Sequence, residues 1–205
     1  MVGNGMTRIK ICGVTNLVDA FMAVQLGADA IGFIFTDSKR KVSPQIARSI
    51  IRRLPPMITT VGVFMNTSSR YVNKIAEYTG VDIVQLHGDE SSEYCSKIAK
   101  RVIKRIAVKR NDTRDSLIGK IQGYNVSAFL FDPGAGNGQT FDWRIAQGIS
   151  CRPIIIAGGL SPHNVKEVIT LLNPYGVDVA SGVEVLPGKK DREKLKKFIE
   201  EVRSC

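Results

Sequence analysis

No stretch of this sequence approaches the roughly 20 consecutive apolar residues that a membrane-spanning helix needs, and Met1 to Met6 contain no apolar signal-peptide core. Cysteine is sparse. The four present, Cys12, Cys95, Cys151 and Cys205, lie far apart. None forms a CxxC pair, so a zinc or dithiol redox motif is not expected. There is no low-complexity tract and no long block of like charge, which sets aside fibrous and disordered classes. A chain with these absences is expected in the cytoplasm, away from membranes, with each cysteine a free thiol and most of them small buried hydrophobes.

What is present is a globular composition. The 205 residues are 43% hydrophobic, with 19 Gly and 8 Pro. That length is expected to form one domain, residues 1–205, with a core large enough to need no staple. The net charge of +10 comes from 29 Lys+Arg against 19 Asp+Glu. These basic residues are scattered, and their short clusters, such as Lys39-Arg40-Lys41, are not interleaved with aromatic residues. A single-strand binding surface would want such aromatics. The charge therefore reads as a solvated surface that also suits a small anionic substrate, with no nucleic-acid partner.

The chain repeats one pattern eight times: a β-branched run, a polar turn, then a helical pattern. The expected strands are Arg8–Cys12, Ala30–Phe35, Thr60–Asn66, Asp82–His87, Val102–Lys109, Ala128–Asp132, Pro153–Ala157 and Val177–Ser181. Apolar residues at helical spacing fill the intervals, as in Leu17, Ala20, Phe21, Val24 and Leu26, or Val165, Val168, Ile169 and Leu172. Start and stop signals agree. Asn16, Ser43-Pro44 and Ser161-Pro162 read as helix starts, and Gly27 and Gly80 as helix ends. Strictly alternating strands and helices imply a parallel sheet. Eight right-handed units close into an α/β (β/α)₈ TIM barrel. An open doubly wound sheet would usually carry GxGxxG after its first strand. The turn here is Cys12-Gly13-Val14-Thr15.

A barrel of this kind places its active site at the C-terminal ends of the strands. Those positions are polar here: Cys12-Gly13, Asn66, Gln85 and His87, Asp132, Gly158-Gly159 and Ser181-Gly182. Strand alternation puts Ile9 and Ile11 toward the helices and Arg8, Lys10 and Cys12 toward the interior. A lysine beside a thiol is expected to lower its pKa from about 8.5. Cys12 therefore reads as a functional thiol. Asp132 ends an apolar strand, where a partly buried carboxyl is suited to general acid work. Gly158-Gly159 and Ser181-Gly182 follow the seventh and eighth strands, where barrels commonly bind phosphate through backbone N–H groups. Arg40, after the second strand, has the fork that grips a carboxylate. The glycine-rich run Pro133–Gln139 is expected to act as a mobile cover.

These motifs resemble the phosphoribosylanthranilate isomerases over nearly the whole chain. The resemblance is carried by Lys10-Ile11-Cys12-Gly13, Gln85-Leu86-His87-Gly88, Phe141-Asp142-Trp143, Ala157-Gly158-Gly159, Ser181-Gly182-Val183-Glu184 and Pro187-Gly188-Lys189-Lys190-Asp191. It implies an Amadori rearrangement of N-(5'-phosphoribosyl)anthranilate to 1-(2-carboxyphenylamino)-1-deoxyribulose 5-phosphate in tryptophan biosynthesis. Position by position, it implies Cys12 as general base and Asp132 as general acid. Arg40 would hold the anthranilate carboxylate, and Gly158, Gly159, Ser181 and Gly182 the phosphate. Gln85 and His87 would also line the substrate site. No metal and no other cofactor is implied, because the substrate imine is itself the electron sink. The assembly is expected to be a monomer or a homodimer. Pro133, Asn137 and Ala157 depart from the family, which usually has hydroxyl residues there. A related isomerase acting on a histidine-pathway aminosugar phosphate is the nearest rival. Dual-substrate relatives carry an aspartate where Cys12 stands, so the thiol argues against it. A nucleic-acid-binding protein rests on net charge alone.

Overall fold

The computed structural model describes residues 6–134 and 140–205. Eight parallel strands close into a barrel in chain order. They are β1 (Arg8–Ile11), β2 (Ala30–Ile34), β3 (Thr59–Phe64), β4 (Ile83–Leu86), β5 (Arg101–Ala107), β6 (Ala128–Asp132), β7 (Ile154–Ile156) and β8 (Gly176–Val179). β8 returns to β1, pairing Lys10 with Asp178 and Ile11 with Val179. Each strand lies within two residues of its expected bounds. Seven end one or two residues early, although Cys12, Phe35, His87 and Ala157 still donate their N–H groups to the neighbouring strand.

Helices α1 (Leu17–Leu26), α2 (Pro44–Ile51), α3 (Ser69–Thr79), α4 (Ser92–Ser96), α5 (Arg114–Ile121), α6 (Val165–Leu172) and α7 (Arg192–Arg203) surround the strands. The expected boundaries hold for α1, α2 and α3. Asn16 accepts from Asp19 N and caps α1, and Ser43 caps α2 ahead of Pro44. Gly27 and Gly80 take left-handed conformations at the ends of α1 and α3. Two expectations need correction. The buried face of α1 is Asp19, Ala20 and Ala23, while Phe21 and Val24 are only half-buried. Small residues let this helix lie close to the strands. The helix after β7 starts at Val165, not at Pro162. Ser161 N–H donates to Asn164 Oδ1 at 2.8 Å, so the two close a turn before the helix begins. After β6 a single 3₁₀ turn, Trp143–Ala146, stands where the sixth helix would be.

Alternation along the strands sorts side chains into two layers. Ile9, Ile11, Phe33, Phe129 and Phe131 face the helices and join the large outer core. Ile103, Ala128, Leu130, Ile155 and Ala157 form a smaller cluster inside the barrel. Asp132 continues the Ala128–Leu130 face, so a carboxylate stands at the barrel mouth. Lys10 continues inward from β1 as expected. Arg8 does not: its side chain is 61% exposed at the opposite rim and pairs with Asp29 at 2.9 Å. At that rim water is available, so the guanidinium turns outward.

After β8 the chain makes a 3₁₀ turn, Ser181–Val183, then a short antiparallel ribbon, β9 (Glu184–Leu186) and β10 (Lys189–Lys190). The ribbon is tied to the loop after β1, because Thr15 Oγ1 donates to Gly188 O at 2.7 Å.

Candidate active site

A cavity of about 640 Å³ opens at the C-terminal ends of the strands. Its wall includes Cys12, Arg40, Gln85, His87, Asp132, Gly158, Gly159 and Ser181. Eight of the nine expected site residues therefore share one space. Gly182 is the exception. A Cβ there would overlap the Leu160 carbonyl oxygen, so this glycine lets the β8 loop pack directly on the β7 loop. The run 135–139, within the expected cover, lies outside the described residues.

Cys12 follows β1, with its N–H donating to Val179 O at 2.9 Å. Its thiol lies over Gly32: a Cβ on that glycine would stand 2.9 Å from Sγ and 3.2 Å from Lys10 Cε. Thiol and lysine thus share one gap left by the missing side chain. The sequence suggested a lowered thiol pKa, but it is raised. Burial pushes it up and Asp178 adds to this, against the pull of Lys10 and Lys190. Lys10 is itself buried, and its Nζ donates to Asp178 Oδ1 at 2.8 Å. Burial favours its neutral form, but Asp178 and Cys12 outweigh this and hold it protonated. The other cysteines divide. Cys95 is buried, whereas Cys151 and Cys205 are exposed, against the expectation of buried hydrophobes.

Asp132 accepts from Gly134 N–H at 2.7 Å through Oδ1. Its Oδ2 faces His87 Nε2 at 3.5 Å. The Gln85 amide nitrogen sits 3.1 Å from His87 Nδ1. An amide N–H can only donate, so Nδ1 is bare and Nε2 carries the hydrogen toward Asp132. Burial, with Arg105 and Lys10 nearby, lowers the His87 pKa to about 4. The imidazole is neutral near pH 7.

Gly158 and Gly159 adopt φ of +84° and +64°, a region that favours glycine. Asn164 Nδ2 donates to Gly159 O at 3.0 Å and fixes this turn to the start of α6. Ser181 lies beside it in the wall, after β8.

Arg40 is held on three sides. Its stem crosses Gly13, whose Cβ would stand 2.5 Å from Arg40 Cδ and whose φ is +71°. Its backbone N–H donates to Ser38 Oγ at 3.1 Å. Its Nε and Nη2 donate to Glu184 at 2.8–3.0 Å. Glu184 also accepts from Lys190 Nζ at 2.9 Å, and the same Nζ donates to Cys12 O at 2.6 Å. Burial opposes ionisation of Glu184, yet Arg40 and Lys190 hold its pKa below the usual carboxylate value. Lys190 is pushed down by burial, only partly offset by Glu184.

Sequence reasoning gave Lys10 only the part of a cation beside Cys12, and assigned no role to Asp178, Glu184 or Lys190. Lys10 was legible as an inward lysine. Its partner required the β1–β8 register. Glu184 and Lys190 stood inside recognisable motifs, but only the fold of the ribbon brings them against Arg40 and Cys12. Among the described residues, no three His, Cys, Asp or Glu side chains are grouped as metal ligands.

Residues 9–201 match the family model described as N-(5'phosphoribosyl)anthranilate (PRA) isomerase. The chain is 48% identical over 201 residues to N-(5'-phosphoribosyl)anthranilate isomerase of Pelobacter propionicus, covering 95% of this chain and 94% of that one. It is similar to phosphoribosyl anthranilate isomerase crystallised with reduced 1-(o-carboxyphenylamino)-1-deoxyribulose 5-phosphate, at 39% identity and TM-score 0.86, covering 98% and 100% of the two chains. A monomeric form of the dimeric enzyme from Thermotoga maritima is 38% identical with TM-score 0.85, over 98% of this chain and 100% of that one.

Proposed function

The chain belongs to the phosphoribosylanthranilate isomerase family, and from that premise we propose that Cys12 is the general base and Asp132 the general acid of its reaction. The reaction is the aldose–ketose isomerisation of N-(5'-phosphoribosyl)anthranilate in tryptophan biosynthesis. One observation carries the assignment of roles: a thiol and a carboxyl from different strands line the same cavity, beside an arginine fork and a glycine turn.

The steps follow from those groups. Protonated Asp132 gives its proton to the furanose ring oxygen. The ring C–O bond breaks, and the amine lone pair forms the C=N bond of a Schiff base. The Cys12 thiolate then removes the proton from sugar C2. The C–H electron pair moves toward the iminium nitrogen and gives an enolamine, which tautomerises to the ketose. His87 is neutral and directs its Nε2–H at Asp132, so it orients the carboxyl between turnovers. Lys10 supports the thiolate against burial. Arg40 takes the anthranilate carboxylate, and Gly158, Gly159 and Ser181 surround the phosphate. The reduced product analogue bound by the crystallised relative has both anionic ends that this arrangement would receive.

The whole 205-residue chain is read as one catalytic barrel domain acting in the cytoplasm, with no nucleic-acid partner. The assembly is read as a monomer or a homodimer, both of which are named for a solved relative.

Mixing the protein with freshly made substrate and following loss of its fluorescence tests the reading. Rapid loss that stops in Cys12→Ser and in Asp132→Asn is expected. Wild-type-like turnover by either variant would overturn the assigned roles. Turnover of the histidine-pathway aminosugar phosphate in place of this substrate would overturn the specificity.

A further inference from the structure

Glu184 lies buried behind the cavity wall, with an N–H donor cluster around it: Arg40 Nε and Nη2, Lys190 Nζ and the Gly188 N–H. We propose that Glu184 is a positioning residue that confers selectivity for the substrate's ring carboxylate, by presenting one edge of Arg40 to the cavity. This rests on the reading that Arg40 takes that carboxylate.

Guanidinium geometry carries the inference. Arginine has five N–H donors arranged as two usable forks. The side fork is Nε–H with Nη2–H, and the end fork is Nη1–H with the second Nη2–H. Glu184 occupies the side fork, with Nε 3.0 Å from both oxygens and Nη2 2.8 Å from Oε2. Rotation about the guanidinium is thereby blocked. The stem has no lateral freedom either, because it is seated on Gly13. The end fork is left for a second planar anion, in the geometry that binds a carboxylate bidentately. An unpinned arginine would lose rotamer freedom on binding, and this one has already lost it.

Charge points the same way. Arg40 and Lys190 are two cations, and Glu184 is one anion. The buried group keeps one net positive charge, which a carboxylate at the end fork would neutralise. Lys190 reaches Cys12 O, so the carboxylate that aims Arg40 also anchors the backbone of the base. The ring carboxylate and the sugar C2 are thereby referred to one fixed point.

Calorimetric titration of the wild type, Arg40→Ala, Glu184→Gln and Glu184→Asp tests this with two stable ligands. One is the reduced product analogue. The other is its counterpart made from aniline, which lacks the ring carboxylate. The ratio of their Kd values reads carboxylate recognition alone. It is expected to exceed about tenfold in the wild type and to collapse toward one in Arg40→Ala. Glu184→Gln should lose most of the ratio while holding the aniline ligand within about twofold of wild type. Loss of both ligands in parallel would make Glu184 a general structural residue and sink the proposal. A wild-type ratio in Glu184→Gln, with the ratio lost in Arg40→Ala, would also overturn it. If Arg40→Ala keeps the ratio, the reading of Arg40 fails, and this inference with it. Should Glu184→Gln fail to fold by circular dichroism, Glu184→Asp decides. It keeps the charge beside Lys190 but is one methylene too short to hold the side fork. A reduced ratio is expected there, and an unchanged one overturns the proposal.

Discussion

Cys12 must ionise to act as a base, and its surroundings pull in two directions. Burial and Asp178 raise its pKa, while Lys10 and Lys190 lower it. Because the folded pKa is raised, the active thiolate is gained as pH rises, so kcat/KM should climb through the alkaline range. Lys10→Met removes the nearest cation and should move that climb further up in pH. Asp178→Asn removes an anion and should move the thiol pKa down. Rates of alkylation by iodoacetamide against pH, in the free protein, read both shifts. Shifts in the same direction would mean that the two residues act only through the fold. Replacing the thiol itself with a hydroxyl, in Cys12→Ser, should cost about a hundredfold or more in kcat, because the alcohol stays protonated at neutral pH. At this scale the sequence was informative where position alone decides. Cys12 and Asp132 stand at strand ends, so their place in the cavity wall could be foreseen. The sign of the thiol shift could not, because adjacency to Lys10 is visible in sequence and the desolvation of Sγ is not.

Loops, rather than strands, decide how these side chains meet. The strands were legible because β-branched runs recur between turn signals. The 3₁₀ form of the short segment after β6 was not, since four residues, Trp143–Ala146, suffice to cover that side. Nor was the late start of α6, which depends on the Ser161–Asn164 hydrogen bond. Glycines mark where two loops approach too closely for a side chain. Gly13→Ala would place a methyl 2.5 Å from Arg40 Cδ, in a backbone with φ of +71°. It should lift Arg40 from its seat, raise KM as is also expected of Arg40→Ala, and cost about 1–3 kcal/mol in denaturant unfolding. A variant with the stability loss but an unchanged KM would show that Arg40 keeps its aim without Gly13. Gly182→Ala differs, because its Cβ would overlap the Leu160 carbonyl and part the β7 and β8 loops. Its expected effect is weaker binding of phosphate-bearing ligands, with Arg40-dependent selectivity retained. Calorimetry with the two reduced ligands separates these outcomes.

The molecule as a whole closes β1, β2 and α7 around Asp29, which pairs with Arg8 and Arg203 at 2.8–2.9 Å. Its carboxyl pKa is lowered: the Arg203, Ile9 and Arg8 hydrogen bonds outweigh burial, which opposes ionisation. That stabilisation is therefore lost at acidic pH, as protonation breaks the pairs. His87 adds an acid sensitivity at higher pH. Its pKa falls from 6.5 to about 4 in the folded chain, so the unfolded chain binds the extra proton between those values. Its cost to folding is absent above pH 6.5 and grows as pH falls toward 4, reaching about 3 kcal/mol for the full shift. His87→Gln cannot titrate and should lack this component while keeping the Asp29 component. The quantity to measure is the difference in unfolding free energy between wild type and His87→Gln, by urea titration across pH 4–8. It should be flat above pH 6.5 and change against the wild type below it. A difference that stays flat to pH 4 would mean that His87 titrates normally in the folded barrel. It would then carry charge near pH 6, and the neutral Nε2–H assigned to it beside Asp132 would have to be abandoned.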